Sequence, residues 1–366
     1  MKIIIDSYIP YIKGALDNVA DVTYLPYEKI TPDNIRDADA LIVRTRTHCD
    51  EQLLRNSNVK FIASATIGYD HIDAVYCAQK GISWTNAPEC NALSVAQYMA
   101  SVLSFLCRKN NYDLAGKTMG IVGVGAVGTK IAMLARSFGM NVLLNDPPRA
   151  RKESAETFVS LDEICEKADI ISFHTLLNVS GVDKSFHLAN ETFFDRLKRK
   201  PVIINAARGE IVDTKALIHA IRQKKVSDVV LDCWENEPNI NRELLSLTTL
   251  ATPHIAGYSA DGKANASAQS VQNVSQFFGL GLDHWKVTEL SCPRKETVEG
   301  ITLALPFFEA TYNVEADSAL LKHTPEEFEL QRSNYSFRRE PKAYLEIMNK
   351  DFAVWFVKQF DVFFNK

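Results

Sequence analysis

Apolar residues gather in short runs along the first part of the chain, at Ile3 to Ile5, Val22 to Leu25, Ala40 to Val43, Phe61 to Ser64 and Ser83 to Asn86. Polar, helix-compatible stretches separate them. Strands covered by helices on both faces have no polar side, so unbroken apolar runs of this length predict parallel strands. Parallel neighbours also need crossovers, which the intervening stretches supply. The first ~90 residues therefore read as one small α/β unit. From Ser94 to Cys107 the period changes, and Val95, Met99, Val102, Leu103 and Leu106 recur at helical spacing, with Asn91 and Ser94 as candidate N-caps. This helix leads into a second series of strands, opened by Lys117 to Gly128 and continued at Asn141 to Leu144, Ile170 to Phe173, Val202 to Asn205 and Val229 to Asp232. Their number and spacing suit a doubly wound nucleotide-binding sheet. Beyond about residue 285 the rhythm stops, leaving a polar stretch from Glu315 to Glu340 and an aromatic end with Trp355, Phe356, Phe360, Phe363 and Phe364. Exposed aromatics at that density predict a docking surface, and a dimerisation module is the natural reading.

A length of 366 residues exceeds what one core fills, since cores stop growing at roughly 250 to 300 residues, so two or three domains are expected. The net charge of -4 offers no general basic surface to nucleic acid or to an anionic membrane, which leaves a small molecule as the expected partner. No segment approaches the ~20 apolar residues of a membrane span. The opening Met-Lys-Ile-Ile-Ile-Asp has no apolar stretch of signal-peptide length. Cys49, Cys77, Cys90, Cys107, Cys165, Cys233 and Cys292 are odd in number and form no C-x-x-C pair, which argues against a disulfide framework. A cytoplasmic protein is expected.

Gly120 to Gly128 is an apolar strand running into G-x-G-x-x-G, followed by a helical segment from Thr129 to Phe138. Gly123 would permit the tight turn, Gly125 the approach of a diphosphate, and Gly128 close helix packing, with the amides near Ala126 and Val127 holding the anion. Alone, such a motif is also any glycine-rich turn. Its context favours a nicotinamide cofactor, because the next strand ends at Asp146, where a carboxylate can accept bonds from both ribose hydroxyls and repel a ribose phosphate. NAD is the expected form, although the nearby Arg149 keeps NADP in view.

Three strand-end segments then carry Arg208, Glu237 and His254. Ligands bind at such strand ends in open α/β sheets. Taking a hydride from a secondary alcohol requires a base for the hydroxyl proton, histidine is the residue type suited to that work near neutral pH, and His254 fits the role. Glu237 would orient that ring and stabilise the imidazolium. Arg208 would hold a substrate carboxylate with its planar fork, which lysine does not offer. Singly, each could be a solvated charge or a packing residue, but their succession on consecutive strand-end loops is harder to dismiss.

Gly123 to Gly128 with Asp146, His174-Thr175-Leu176-Leu177, Asn205 to Gly209, Asp232 to Pro238 and Pro253 to Gly257 resemble the D-2-hydroxyacid dehydrogenase family over about residues 1 to 285. The resemblance implies that Arg208, Glu237 and His254 are the catalytic trio. It implies a Rossmann NAD-binding domain, residues 93–257, inserted into a flavodoxin-like substrate domain, residues 1–92 with 258–285 returning to it. A small C-terminal dimerisation domain, residues 286–366, would follow. Within the family, His254 to Tyr258 with Gly262-Lys263-Ala264 and the long C-terminal extension is similar to the branch that oxidises 4-phosphoerythronate in vitamin B6 biosynthesis. That likeness implies a substrate site with Thr45, Thr66 and Tyr258 and NAD contacts at Asp146, Thr175, Asp232 and Gly257, while the aromatic C-terminal end makes a homodimer the expected assembly. Two positions depart from the pattern: Leu176 stands where the family commonly has proline, and Gln97 where many relatives carry glutamate on the interdomain helix.

A phosphorylated acid needs cations at both ends. Arg44 and Arg46 flank Thr45 on the loop after the Ala40 to Val43 strand and are candidate phosphate ligands. They read equally as solvated arginines at a strand end. A phosphoglycerate- or hydroxypyruvate-type dehydrogenase is the alternative within the enzyme class, and an NAD(H)-sensing, corepressor-like binding protein is the alternative outside it. Neither H-E-x-x-H nor a Cys/His cluster stands in the sequence, so no metal site is expected.

Overall fold

The apolar runs of the first ninety residues form five parallel strands: β1 (Lys2–Asp6), β2 (Asp21–Leu25), β3 (Ala40–Val43), β4 (Phe61–Ser64) and β5 (Ser83–Thr85), in the order β2-β1-β3-β4-β5. The central β3 and β4 are buried at every position, as strands with helices on both faces must be. A computed structural model describes residues 1–153 and 155–364 of the chain. It folds as two compact units, Met1–Asn91 with Ser259–Cys292 and Ala92–Tyr258 with Pro293–Lys366. The return to the first unit is made by the helix Ala260–Phe278, capped by the Ser259 hydroxyl, which accepts from the Gly262 amide at 2.8 Å. Its Ala266, Val271 and Val274 join the core built on β1, β3 and β4.

The second unit is built on β6 (Thr118–Val122), β7 (Asn141–Asn145), β8 (Ile170–Phe173), β9 (Val202–Asn205), β10 (Val229–Leu231) and β11 (Leu250–Ala251), all parallel, in the order β11-β10-β9-β8-β6-β7. Outside β7, Val159 donates its amide to the Leu144 carbonyl at 2.7 Å. With that edge segment counted in its chain position, the arrangement begins 3-2-1-4-5-6, the Rossmann order, and the order reverses between β6 and β8. Ligands bind at such a switch point.

The helix Ala92–Asn110 is buried almost all round, which places it inside the unit. Ser94, a candidate N-cap, lies within the helix; its hydroxyl donates to Glu340 at 2.8 Å. Against this helix pack Ala304–Thr311 and Val314–His323 from the C-terminal segment. The aromatic end behaves differently from the sequence expectation. Phe307, Phe308, Phe352, Phe356, Phe360 and Phe363 are buried within the chain, in the same cluster as Met99, Leu103 and Ile131. Each such ring contributes roughly 1.5–3 kcal/mol by burial, so the aromatic density is explained by packing within the chain and does not by itself call for a partner. Among the described residues no helix is long and apolar enough to cross a membrane.

Candidate active site

β6 ends in the glycine loop, and the helix Ala126–Ser137 starts from it. A Cβ on Gly123, whose φ is +89°, would fall 2.4 Å from the Thr175 amide nitrogen, and one on Gly128 would fall 2.0 Å from the Gly123 carbonyl oxygen. The loops after β6 and β8 are thus pressed together, and the helix is pressed on its own loop. A Cβ on Gly125 would meet nothing within 4 Å. Gly125 is also the N-cap, and no side chain caps the helix start. Two glycines close the turn while the third leaves bare backbone beside free amides, including those near Ala126 and Val127, which fits a diphosphate.

Asp146 ends β7, where its Oδ2 accepts from the Val124 amide at 2.8 Å and its Oδ1 from the Arg149 amide at 3.0 Å. Arg149 forks onto Glu153, with both bonds at 2.7 Å. The arginine that kept a ribose phosphate in view is therefore already paired with a carboxylate, and the residues at this strand end fit NAD. Thr175 follows β8 and donates to the Leu176 carbonyl at 3.3 Å, while the Leu176 side chain is 68% exposed.

The three other strand-end segments meet on the same sheet. His254 places Nδ1 2.9 Å from Oε2 and 3.2 Å from Oε1 of Glu237. A carboxylate can only accept, so Nδ1 carries a proton, which leaves Nε2 as the nitrogen that can exchange one with a substrate. Oε1 also accepts from the Trp234 amide at 2.9 Å. Burial would raise the Glu237 carboxyl, but the histidine's charge and hydrogen bond, the Trp234 amide and the nearby Arg332 outweigh it and hold the group below its ordinary value. Glu235, two residues earlier, faces elsewhere: Oε1 lies 2.6 Å from His187 Nε2 and Oε2 accepts from the Thr214 amide at 2.8 Å.

Arg208 lies half-buried in the loop after β9, where Asn205 donates to its carbonyl at 2.8 Å. Next to it, a Cβ on Gly209 would fall 1.9 Å from the Trp234 carbonyl carbon. The loops carrying Arg208 and Glu237 are thus in backbone contact, and only glycine permits it. Cys233 completes the surroundings, its Sγ 3.3 Å from the Ala207 carbonyl oxygen. Ligand atoms of Cys233, Glu237 and His254 lie within 4.8 Å of one another, a metal-like spacing that the sequence motifs did not reveal. Burial pushes the Cys233 thiol far up, so it stands as a protonated donor to Ala207, and the cluster is poor in the thiolate a soft metal wants.

Two residues of this region have partners that the sequence did not announce, and one of them, Arg338, was not singled out in it at all. Asp232, an expected NAD contact through the family likeness, is buried, and its carboxylate accepts from the amides of Ile255 (2.8 Å) and Ala256 (3.0 Å) and from the Thr252 hydroxyl (2.7 Å). Burial raises its carboxyl above the ordinary value against the pull of His254 and those bonds. Arg338, from the C-terminal segment, donates to carbonyls of the loop formed by Pro253 to Tyr258. Its partners lie some eighty residues away, and no local pattern announces them. Tyr258 packs edge-on against Tyr335 and Phe337, and Gly257 beside it is half-buried.

The first unit holds the remaining candidates. Arg44 donates from Nε to Asp6 at 2.8 Å and lies over the Tyr8 ring at 5.4 Å, while Thr45 and Arg46 are exposed on the same loop. Thr66 is fixed by the Ser64 hydroxyl at 2.7 Å and donates to the Gly68 carbonyl at 3.0 Å. Ser64 in turn meets His71 Nε2 at 3.0 Å. Burial lowers the His71 imidazole to about 4.

The family described as the NAD-binding domain of D-isomer specific 2-hydroxyacid dehydrogenases matches residues 98–256. Erythronate-4-phosphate dehydrogenase of Bacteroides thetaiotaomicron is 51% identical over 345 residues, covering 94% of this chain and 98% of that protein. The Escherichia coli protein of the same name is 39% identical over 351 residues, covering 93% of this chain and 92% of its own length. Among solved structures, D-lactate dehydrogenase from Aquifex aeolicus, complexed with NAD and lactic acid, superposes with a TM-score of 0.65 at 27% identity, over 79% of this chain and all of that one. NAD-bound 3-phosphoglycerate dehydrogenase from Entamoeba histolytica gives 0.65 at 26% identity, over 80% of this chain and 99% of its own.

Proposed function

The chain belongs to the erythronate-4-phosphate dehydrogenase family, within the D-isomer specific 2-hydroxyacid dehydrogenases, and from that membership we propose that it oxidises 4-phospho-D-erythronate to 2-oxo-3-hydroxy-4-phosphobutanoate in pyridoxal 5'-phosphate biosynthesis. When bound, NAD would supply the acceptor for the hydride that leaves C2 of the substrate. The observation that carries the reading is the His254–Glu237 pair, at 2.9 Å, on a sheet end whose glycine loop fits a dinucleotide. His254 Nε2 takes the C2 hydroxyl proton while Glu237, already bonded to Nδ1, stabilises the imidazolium that results. Arg208 binds the substrate carboxylate and polarises the C2–O bond as carbonyl character develops. Gly123, Gly125, Ala126, Val127 and Gly128 hold the cofactor diphosphate, Asp146 its adenosine ribose, and Thr175, Asp232 and Gly257 the remainder.

Thr45, Thr66 and Tyr258 are the proposed substrate ligands, with Arg44 and Arg46 for the phosphate. The C-terminal segment exposes Leu303, Leu320, Leu330, Val354 and Trp355, which supports a homodimer formed through that segment. An NAD enzyme with seven free thiols suits the reducing cytoplasm.

The test is NADH formation by the purified protein with 4-phosphoerythronate, beside 3-phosphoglycerate and glycerate, repeated with His254→Ala, with the oligomeric state read by sedimentation of the same preparation. Turnover of 4-phosphoerythronate that the variant loses, from a dimer, is expected. Preference for another acid would refute the substrate, and a monomer would refute the assembly.

A further inference from the structure

Arg338 lies between the helix Phe328–Ser333 and the turn Pro341–Tyr344 and is 8% exposed. A buried guanidinium is tolerated only when its N–H groups find acceptors. Here Nε donates to Gln97 Oε1 at 3.2 Å. Nη1 donates to the carbonyls of Ile255 (3.3 Å) and Tyr258 (3.0 Å) and to the Tyr335 hydroxyl (3.2 Å). Nη2 donates to the carbonyls of Ala256 (2.5 Å) and Ser94 (3.0 Å). The Tyr312 ring faces the cation at 4.1 Å.

Half of these acceptors are carbonyls of residues 255 to 258, the stretch that leaves His254. On the opposite side Asp232 takes the amides: its carboxylate accepts from Ile255 and Ala256, and its carbonyl accepts from the His254 amide at 2.7 Å. The loop is gripped by an anion at its N–H groups and a cation at its C=O groups. Between them His254 holds a φ of +57°, a left-handed backbone that a non-glycine residue keeps only when its surroundings impose it.

We propose that Arg338 is a positioning residue for His254, so that the C-terminal segment sets the geometry of the base without touching the reacting atoms. The proposal rests on the reading of His254 as that base. It also accounts for Gln97. A neutral amide offers Oε1 to Arg338 while Nε2 donates to the Arg339 carbonyl at 3.0 Å. A glutamate carboxylate in its place would have no proton for the second bond.

The experiment compares full-length Arg338→Ala, Arg338→Lys, Gln97→Glu, Lys322→Ala and His254→Ala for kcat, KM, the pH profile of kcat, and Tm. Lys322 ties the same segment to the Thr248 carbonyl at 2.6 Å, away from the His254 loop, and controls for loosened packing alone. A displacement of the base by about an ångström costs about 100-fold. Arg338→Ala should lose kcat on that scale with little change in the KM for NAD and with a displaced pH profile. Arg338→Lys should recover part of it, and Lys322→Ala should lower Tm but keep kcat. Wild-type kcat and pH profile in folded Arg338→Ala overturn the proposal. Should that variant fail to fold, unchanged kcat and pH profile in both Arg338→Lys and Gln97→Glu overturn it instead. If His254→Ala stays active, the reading of the base has failed, whatever Arg338 does.

Discussion

Glu237→Gln isolates the charge on the carboxylate that supports the base. Glutamine keeps the length, and its amide oxygen can still accept from the Trp234 amide, so packing is preserved. What disappears is an anion 2.9 Å from His254 Nδ1, which matters most once the ring has taken the substrate proton. At an effective dielectric of ~20, two charges that close attract by about 6 kcal/mol. Part of this is lost to solvent, because the side chains are 30% and 19% exposed, and the amide oxygen restores part of the hydrogen bond. A net loss of roughly 2–4 kcal/mol follows, comparable to a charge-assisted hydrogen bond. Tenfold in rate per 1.36 kcal/mol makes that ~30- to ~1,000-fold in kcat. The assay is steady-state NADH formation across pH, with cofactor affinity measured separately. The expected result is a fall of that size in kcat, a lowered apparent pKa of the essential base, and unchanged NAD affinity. A kcat within threefold of the parent at every pH would refute the assignment of Glu237 as the group that stabilises the imidazolium.

Gly209→Ala places a methyl 1.9 Å from Trp234 backbone carbon and 2.4 Å from the Glu235 nitrogen, so the Arg208 loop must withdraw; kcat/KM should fall about 100-fold and stability by roughly 1–3 kcal/mol, and parental activity and stability would disprove the close approach. His71 is neutral in the fold down to about 4, against an ordinary 6.5. As pH falls below 6.5 the unfolded chain is protonated first, so about 3 kcal/mol of stability should be lost between pH 6.5 and 4. Denaturant titrations of the parent and of His71→Gln should show a shallower pH dependence in the variant, and identical slopes would exclude this linkage.

Most strands were legible because their apolar runs are short, continuous and bounded by polar residues. Ala40–Val43, Phe61–Ser64 and Ile170–Phe173 in the structure are the runs themselves. The glycine loop was legible because its three glycines answer local steric demands. Spacing could not show which glutamate would reach the histidine: Glu235 and Glu237 share one loop, and only the fold turns one to His187 and the other to His254. The partners of Asp232 were hidden for a related reason, since the amides it accepts from lie more than twenty residues on. The aromatic tail misled because exposure is a tertiary property. Phe356 and Phe360 are nearly sealed from water inside their own chain.

The separation of Arg338 from the loop it grips also sets an order in time. Ribosomal synthesis runs from the N-terminus, so His254 and its carboxylate partner leave the exit tunnel with the completed sheet, some eighty residues before the cation that fastens the loop's carbonyls. Until then Asp232 can order the amide side alone, and the loop is only half fastened. On the proposed role of Arg338, competence for proton transfer arrives late in translation, and a nascent chain that stalls short of Arg338 lacks that cation together with Phe352, Phe356, Phe360 and Phe363 of the second unit's core.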